Sequence, residues 1–242
     1  MKEKSLIIGA SYGLGKSLAF ELASKGHILF LCARSINKLK KIKLTLEERF
    51  NNNIYILEVD ISNFNENILA KNIKIHLPSI TNIFFIAGKS GIDFSGYVNE
   101  KNFNEIIQVN YLSHIRVMNV FLKNKIIPKN ICVASSVACI RPRARNGLYT
   151  SSKMGLESYF RSLQFFLNKR CKIQIYRLGF MKTRMNKEES SFLPKVETRV
   201  MAKKIVKNLN NKQGILYLPI WWKFISFFLN LLPLFIFKNL KI

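Results

Sequence analysis

The strongest indication of the fold is the segment Leu6-Ile7-Ile8-Gly9-Ala10-Ser11-Tyr12-Gly13-Leu14-Gly15. A short apolar run ends in glycines spaced Gly-x3-Gly-x-Gly, and a helical pattern follows from Lys16 to Lys25. Glycines at a strand-to-helix turn let the backbone approach a pyrophosphate, and the start of the helix adds free N–H groups and a positive dipole end. The segment therefore predicts the first strand, turn and helix of a dinucleotide-binding fold.

Apolar runs and helical patterns alternate along the rest of the chain. We predict strands at 5–9, 28–32, 54–58, 82–87, 130–134, 172–177 and 214–218, and helices that include 14–25, 37–50, 103–125, 150–168 and 197–209. Unbroken apolar strands are typical of a parallel sheet that is buried on both faces. The predicted class is α/β, a Rossmann-like doubly wound parallel sheet of about seven strands with helices on both faces. We assign residues 1–218 to this domain and 219–242 to a hydrophobic tail.

The composition limits the classes of partner. A formal net charge of +25 raises three possible classes of partner: nucleic acid, an anionic membrane surface and an acidic substrate. The alternative is compositional drift, because Lys, Asn and Ile are abundant throughout. No basic block with interleaved aromatic residues is present, so we do not expect nucleic-acid binding. The four cysteines lack metal-ligand spacing, which predicts no metal site and reduced core thiols in a cytoplasmic protein.

The end of the second predicted strand bears on the choice of cofactor. An acid usually binds the ribose 2′-hydroxyl of NAD at this place, but here the sequence reads Arg34-Ser35. A guanidinium fork suits a 2′-phosphate, so the pair predicts NADP; the alternative is a solvated loop charge. Asp60, just beyond the third strand, could accept a hydrogen bond from the adenine amino group or could cap the turn that follows it.

Several further motifs occur in a fixed order along the chain. They are Ala87-Gly88 after the fourth predicted strand, Asn110 in a long helical pattern, Ser136 after the fifth strand, Tyr149-Thr150-Ser151-Ser152-Lys153, and Arg177-Leu178-Gly179-Phe180-Met181-Lys182-Thr183. Together with the glycine turn they resemble the short-chain dehydrogenase/reductase family. The resemblance implies an oxidoreductase that interconverts a carbonyl and an alcohol.

The tyrosine and lysine explain the chemistry that the resemblance implies. A free tyrosine, with a pKa of about 10, is a poor proton donor at neutral pH. Residues four apart share a helix face, so the Lys153 cation can lie under the Tyr149 ring and lower the pKa of the phenol. The resemblance implies that Lys153 also binds the nicotinamide ribose, that Ser136 orients the substrate oxygen, and that Asn110 holds a relay water. The alternative is an ordinary surface pair of Tyr149 and Lys153.

The resemblance also implies a cofactor site assembled from many parts of the chain. Its residues are Gly9, Ser11, Gly13, Leu14, Gly15, Arg34, Ser35, Asp60, Ile61, Ala87, Gly88, Tyr149, Lys153, Gly179 and Thr183. The chain departs from the family pattern at Ile86, where an asparagine is usual, and at Leu178, where a proline is usual. These departures motivate an alternative function, a non-catalytic NADP-binding subunit or sensor.

Two features bear on the substrate. The loop between Ser136 and Tyr149 contains Arg141, Arg143 and Arg145, which would suit a phosphate or carboxylate; the alternative is a solvated loop. The stretch from Thr183 to about Pro194 is short for the family's substrate lid. An open mouth beside an apolar tail suggests a lipid-linked substrate with an anionic head, such as a polyprenyl-phosphate sugar, or an acyl chain.

The tail after Pro219 is dense in Phe, Leu, Ile and Trp. Its apolar stretch, 224–237, is short for a spanning helix, with tryptophans at one end and lysines at the other. We predict a peripheral or monotopic segment at the inner face of an anionic membrane. The alternatives are a helix buried in a dimer interface and a full transmembrane span. The resemblance further implies a homodimer or homotetramer.

Overall fold

A computed structural model describes residues 2–91, 100–141, 143, 146–183 and 194–237. Seven strands form one parallel sheet in the order β3-β2-β1-β4-β5-β6-β7. They are β1 Lys4–Ile8, β2 Ile28–Ala33, β3 Ile54–Glu58, β4 Asn82–Phe85, β5 Asn130–Ser136, β6 Lys172–Leu178 and β7 Gly214–Leu218. The predicted α/β class and strand number are therefore confirmed.

Helices cover both faces of the sheet. Helices α1 (Gly13–Ser24), α2 (Ile36–Phe50) and α7 (Thr198–Asn208) enclose one apolar core. Helices α3 (Glu66–His76), α5 (Ser113–Lys123) and α6 (Gly147–Leu167) enclose the other, and α4 (Glu100–Ile107) precedes α5. Parallel strands need crossovers of this kind, and the two helical layers explain why the strands are apolar on both faces.

The strand order reverses between β1 and β4. The chain after β1 therefore runs to a helix on one face of the sheet, and the chain after β4 runs to helices on the other face. Ile8 pairs with Cys32 on one side and with Phe85 on the other, so the carboxyl ends of β1, β2 and β4 are level. Ser136 likewise pairs with Leu178. Ligands of open α/β sheets bind outside the carboxyl ends at such a switch point. The predicted motifs that follow β1, β2, β4, β5 and β6 therefore fall at one edge of the sheet.

The predicted helix 103–125 is longer and less regular than its sequence pattern indicates. Its described part runs from Glu100 to Lys123 and contains a π-helical turn at Gln108–Leu112 between α4 and α5. Helix α3 begins after Asn65, whose side chain accepts hydrogen bonds from the N–H groups of Asn67 and Ile68. The predicted reduced core cysteines are confirmed, because all four are free and buried.

The tail forms two short helices, α8 (Trp221–Leu231) and α9 (Leu234–Phe237). Helix α8 packs against β7 and against the 3-10 turn Val137–Ile140, and it buries Trp222 and Ser226 on its inner face. Within the described part of the chain, no helix combines the length and the apolar composition required to cross a bilayer.

Candidate active site

A cavity of about 1090 Å³ opens at the carboxyl edge of the sheet. It gathers residues from most of the predicted motifs: Gly9, Ser11, Gly13, Leu14, Arg34, Asp60, Ile61, Ala87, Gly88, Ser136, Arg143, Tyr149, Lys153, Gly179 and Thr183. The other described residues of the prediction, which do not line it, are Gly15, Ser35, Asn110 and Arg141. Arg145 and most of the predicted lid, residues 184–193, lie outside the described residues.

The glycine turn between β1 and α1 is closed by backbone contacts. Gly9 has φ +97°, and a Cβ there would lie 2.6 Å from the amide nitrogen of Ala87. A Cβ on Gly15 would overlap the carbonyl oxygen of Gly9. Only glycine fits at both places, and the turn leaves the amino end of α1 open to the cavity. This is a cradle into which a pyrophosphate fits.

The end of β2 places cations beside this turn. Arg34 is exposed and lines the cavity, whereas Ser35 is the N-cap residue of α2 and makes no side-chain capping bond. The sequence prediction missed Lys38, whose Nζ lies 4.1 Å from the ring centroid of Tyr12 in the glycine turn. A lysine in the first turn of a helix carries no motif, so only the fold shows that it faces the turn.

Asp60 lies in the turn after β3 and lines the cavity. Its carboxylate accepts hydrogen bonds from the backbone N–H of Ser62 at 2.9 Å and from the Ser62 hydroxyl at 2.6 Å. These contacts are the turn-capping alternative of the sequence prediction. Ile61 beside it is buried and lines the same wall.

Tyr149 and Lys153 lie one turn apart on α6. Tyr149 is half-buried, and Lys153 is buried with its Nζ donating to the carbonyl oxygen of Ala134 at 3.0 Å. Burial lowers the pKa of Lys153 to about 8, against the opposing influence of Cys139 and Glu157. Both side chains line the cavity. A phenol and a buried cation one helical turn apart thus line the same cavity, an arrangement that suits proton transfer near neutral pH.

Asn110 sits within the π-helical turn, which frees its side chain to bridge the sheet and α6. Its Oδ1 accepts from the Lys89 N–H at 2.7 Å, and its Nδ2 donates to the Lys89 carbonyl at 2.8 Å and to the Ser152 hydroxyl at 3.1 Å. A Cβ on Gly88 would meet both Asn110 Oδ1 and Lys153 Nζ at 3.4 Å. Asn110 thus fixes the strand end beside the lysine, and π turns are frequent at functional sites.

Ser136 is the last residue of β5, and its Oγ accepts a hydrogen bond from the Ala138 N–H at 3.1 Å. This bond fixes the hydroxyl at the mouth of the cavity, where Tyr149 also lies. The neighbouring Ser135 donates to Glu157 at 2.6 Å. The sequence prediction did not name Glu157, and it listed Arg177 only as the start of the Gly179 motif, because a buried ion pair between distant elements has no local pattern.

His114 is a buried core histidine on α5. Its Nε2 contacts the Ala87 carbonyl oxygen at 2.9 Å. Burial lowers the pKa of His114 to about 3, Lys153 adds to this, and the bond to Ala87 opposes it. The ring is therefore neutral at physiological pH, and its Nε2–H holds the carbonyl of a residue that closes the glycine turn.

Arg141 and Arg143, in the loop between Ser136 and Tyr149, contact different parts of the protein. Arg143 lines the cavity. Arg141 instead faces the tail: its NH1 donates to the carbonyl oxygens of Leu229 and Leu232, and its guanidinium lies 4.3 Å from the ring centroid of Phe237. A cation at the last carbonyls of a helix stabilises the end of that helix. Through these contacts Arg141 holds the tail against the rest of the protein.

Comparison with known proteins gives the family. Residues 3–193 match the family model for short chain dehydrogenases. The "11-beta-hydroxysteroid dehydrogenase-like 2" protein of Arabidopsis thaliana is 26% identical over 94% of this chain and 77% of its own length. A fatty acyl-CoA reductase of Acinetobacter baylyi is 27% identical over 66% of this chain and 55% of its own length.

A solved structure agrees at the level of the fold. The alcohol dehydrogenase of the archaeon Thermococcus sibiricus, complexed with 5-hydroxy-NADP, superposes with a TM-score of 0.80. It covers 90% of this chain and 96% of its own chain, at 22% sequence identity. With the family match over most of the sequence, the glycine turn and the Tyr149–Lys153 pair, this chain belongs to the short-chain dehydrogenase family, a family of oxidoreductases.

Proposed function

We propose that this protein uses NADPH to interconvert a carbonyl and an alcohol. The observation that carries the proposal is the Tyr149–Lys153 pair, which lines the cavity at the carboxyl edge of the sheet with the cation buried beside the phenol. The glycine turn at the other end of the same cavity supports it, because a Cβ at Gly9 or Gly15 would fill the space that a pyrophosphate needs.

Different residues of the cavity would bind different parts of the cofactor. The glycine turn and the start of α1 would take the pyrophosphate, and Asp60 and Ile61 would flank the adenine. Lys153 would bind the nicotinamide ribose, and Gly179 and Thr183 the carboxamide side. The hydride for the substrate carbon would come from NADPH held in this way.

The proton chemistry belongs to the protein. The Tyr149 phenol donates its proton to the substrate oxygen as the C–H bond forms, so the carbonyl becomes an alcohol and the tyrosine becomes a phenolate. The Lys153 cation stabilises that phenolate. The Ser136 hydroxyl orients the same oxygen, and Asn110 holds the end of β4 against the lysine. In the opposite direction the phenolate accepts the proton of the alcohol.

The preference for NADP over NAD rests on charge. Arg34 and Lys38 lie at the start of α2, on the side of the glycine turn where the ribose 2′ position would sit. Cations stabilise a 2′-phosphate there and gain less from a 2′-hydroxyl. The NADP complex of the archaeal structure is consistent with this choice for a related fold.

The tail gives the proposal its substrate class. The outer face of α8 and α9 exposes Phe224, Phe227, Phe228, Leu231, Leu234 and Phe235, each 63–70% exposed. Such a large apolar patch marks a binding surface. We propose an anionic lipid surface as its partner, because the chain carries a net charge of +25. A substrate with an apolar chain and an anionic head, such as a lipid-linked sugar or an acyl chain, would be presented there.

Oxidation of NADPH and NADH over a panel of long-chain and aromatic aldehydes and ketones tests the proposal. Tyr149→Phe is expected to lower the rate about 100-fold or more while leaving NADPH binding intact, which is the range for loss of a general acid. Arg34→Glu is expected to lower the NADPH to NADH preference about tenfold. NADPH binding by wild type without turnover that depends on Tyr149 would favour the non-catalytic subunit or sensor.

A further inference from the structure

A buried ion pair lies behind the Tyr149–Lys153 helix. Glu157 follows Lys153 by one helical turn on α6, and its side chain is only 5% exposed. The Arg177 guanidinium, on β6, holds both carboxylate oxygens: Nε donates to Oε1 at 3.0 Å, and NH2 donates to Oε2 at 2.7 Å. Ser135, at the end of β5, donates to Oε1 at 2.6 Å. One carboxylate thus joins α6, which carries Tyr149 and Lys153, to β5, which ends at Ser136, and to β6, which precedes Gly179.

The same network reaches the tail. Arg177 NH1 donates to the Tyr217 hydroxyl on β7 at 2.9 Å, and that hydroxyl lies 3.0 Å from Oγ of the buried Ser226 on α8. A buried pair needs this full set of partners, because desolvation of two charges otherwise exceeds their attraction. The Glu66–Arg116 contact differs, since it lies between partly exposed side chains and has little energetic weight.

We propose that the Glu157–Arg177 pair is a positioning pair for Tyr149 and Lys153: it fixes α6 against the ends of β5 and β6 and keeps a negative charge one turn below the lysine. The inference rests on the proposed function and extends it. Neither residue lines the cavity, so neither touches the substrate. Their influence passes through Lys153 and through the strand ends that bear Ser136 and Gly179.

The charges around Lys153 single out Glu157. On α6, Tyr149 lies one turn before Lys153 and Glu157 one turn after it. His114 faces the lysine from α5, Cys139 from the 3-10 turn after β5, and Arg177 lies behind Glu157 on β6. Burial lowers the pKa of His114 to about 3 and raises that of Cys139 to about 11, so both are neutral at physiological pH. Glu157 is then the negative charge that opposes the loss of the Lys153 proton on burial.

The direction of the effect follows from these signs. Burial lowers the pKa of Lys153 to about 8, and Glu157 acts against this shift. Below that pH the lysine carries its charge, and above it the charge is lost. Removal of the carboxylate therefore moves the titration of Lys153 toward lower pH, and the basic limb of kcat for carbonyl reduction moves with it.

The test compares Glu157→Gln with two matched controls. Glu66→Gln makes the same change in net charge far from the cavity, and Ser135→Ala disturbs the same buried network without a change of charge. The Lys153 titration is followed in the cofactor-free protein by ¹³C NMR of its Cε, assigned with Lys153→Arg. The basic limb of kcat for NADPH-dependent reduction gives a second readout.

We expect Glu157→Gln to move both readouts toward lower pH by about one unit, the effect of one adjacent charge, and both controls to keep the wild-type position. Should Glu157→Gln not fold, the neutral double variant Glu157→Leu/Arg177→Met leaves no unpaired charge and is expected to show the same displacement. An unmoved Lys153 titration in a folded variant would overturn the inference. Absence of NADPH oxidation by wild type would instead overturn the proposed function, and the NMR titration would still test the pair.

Discussion

The two ends of the cavity are built in different ways. At the glycine turn, backbone meets backbone: Gly9 faces the Ala87 amide, and Gly15 faces the Gly9 carbonyl. At the tail, the contacts are made by side chains from distant parts of the chain. A Cβ on Gly179 would overlap the Trp222 indole nitrogen, and Arg141 bonds to the carbonyls that end α8.

The two ends of the cavity differ in how freely their residues can be substituted. A contact between two backbones cannot be relieved by another rotamer, so the glycine turn accepts one geometry, which matches a ligand part that all dinucleotides share. Contacts through side chains can repack when the sequence changes. The tail end is therefore where a family member can acquire its own substrate, and three substitutions test this contrast.

Gly15→Ala should have the largest effect. The new Cβ would overlap the Gly9 carbonyl oxygen, and no side-chain movement makes room. We expect a loss of stability of about 3 kcal/mol, the upper end for overpacking, and loss of NADPH binding. Urea unfolding and NADPH fluorescence measure the two quantities.

Gly147→Ala is the matched control. A Cβ at Gly147 meets no atom within 4 Å, so that substitution should change stability by less than about 1 kcal/mol. Equal losses in the two variants would show that the glycine turn tolerates a methyl group as well as an open site does, and would remove the contrast.

The sequence predicted the fold well because its signals are local. Each strand is a short apolar run, and the seven predicted strands match the observed ones within two residues at each end. The Tyr149–Lys153 pair depends only on helical periodicity, and the glycine turn only on consecutive residues. Lys153 accordingly lies where the spacing placed it, buried at the edge of the sheet.

The missing parts of the site depend on contacts between distant residues. Glu157 and Arg177 are 20 residues apart, and Arg141 bonds to Leu229 across 88 residues. Nothing in the sequence around Arg141 shows whether its side chain would bind a substrate or would bond to the last carbonyl groups of a distant helix. The π turn at Asn110 was also missed, because its sequence keeps the apolar spacing of an ordinary helix.

The second substitution tests the outer face of the tail. Phe227→Ser/Phe228→Ser removes apolar area from the exposed face of α8 and leaves the inner contacts of Trp222 and Ser226 intact. We expect binding to vesicles with anionic lipid to fall about 100-fold, because insertion of each phenylalanine contributes about 1.5 kcal/mol. Cosedimentation with vesicles measures it.

Phe165→Ser/Phe166→Ser is the control for the tail, because these two residues of α6 are also exposed, by 86% and 68%. Their replacement should leave vesicle binding unchanged. If the tail variant instead keeps vesicle binding but changes from dimer to monomer by light scattering, the apolar face is an interface between copies of the chain.

The smallest change in stability is expected at the contact between Trp222 of the tail and Gly179 of the cavity. Trp222 Nε1 occupies the space that a Cβ on Gly179 needs, and this buried nitrogen has no hydrogen-bond partner. Gly179→Ala should therefore cost about 1–2 kcal/mol of stability in the wild-type background. In a Trp222→Phe background, the smaller ring leaves room and no hydrogen bond is lost, so the cost of Gly179→Ala should fall by about 1 kcal/mol. Urea unfolding of the four proteins in this double-mutant cycle measures the coupling. Additive losses would mean that the Gly179 site is as rigid as the glycine turn, and the two ends of the cavity would then not differ.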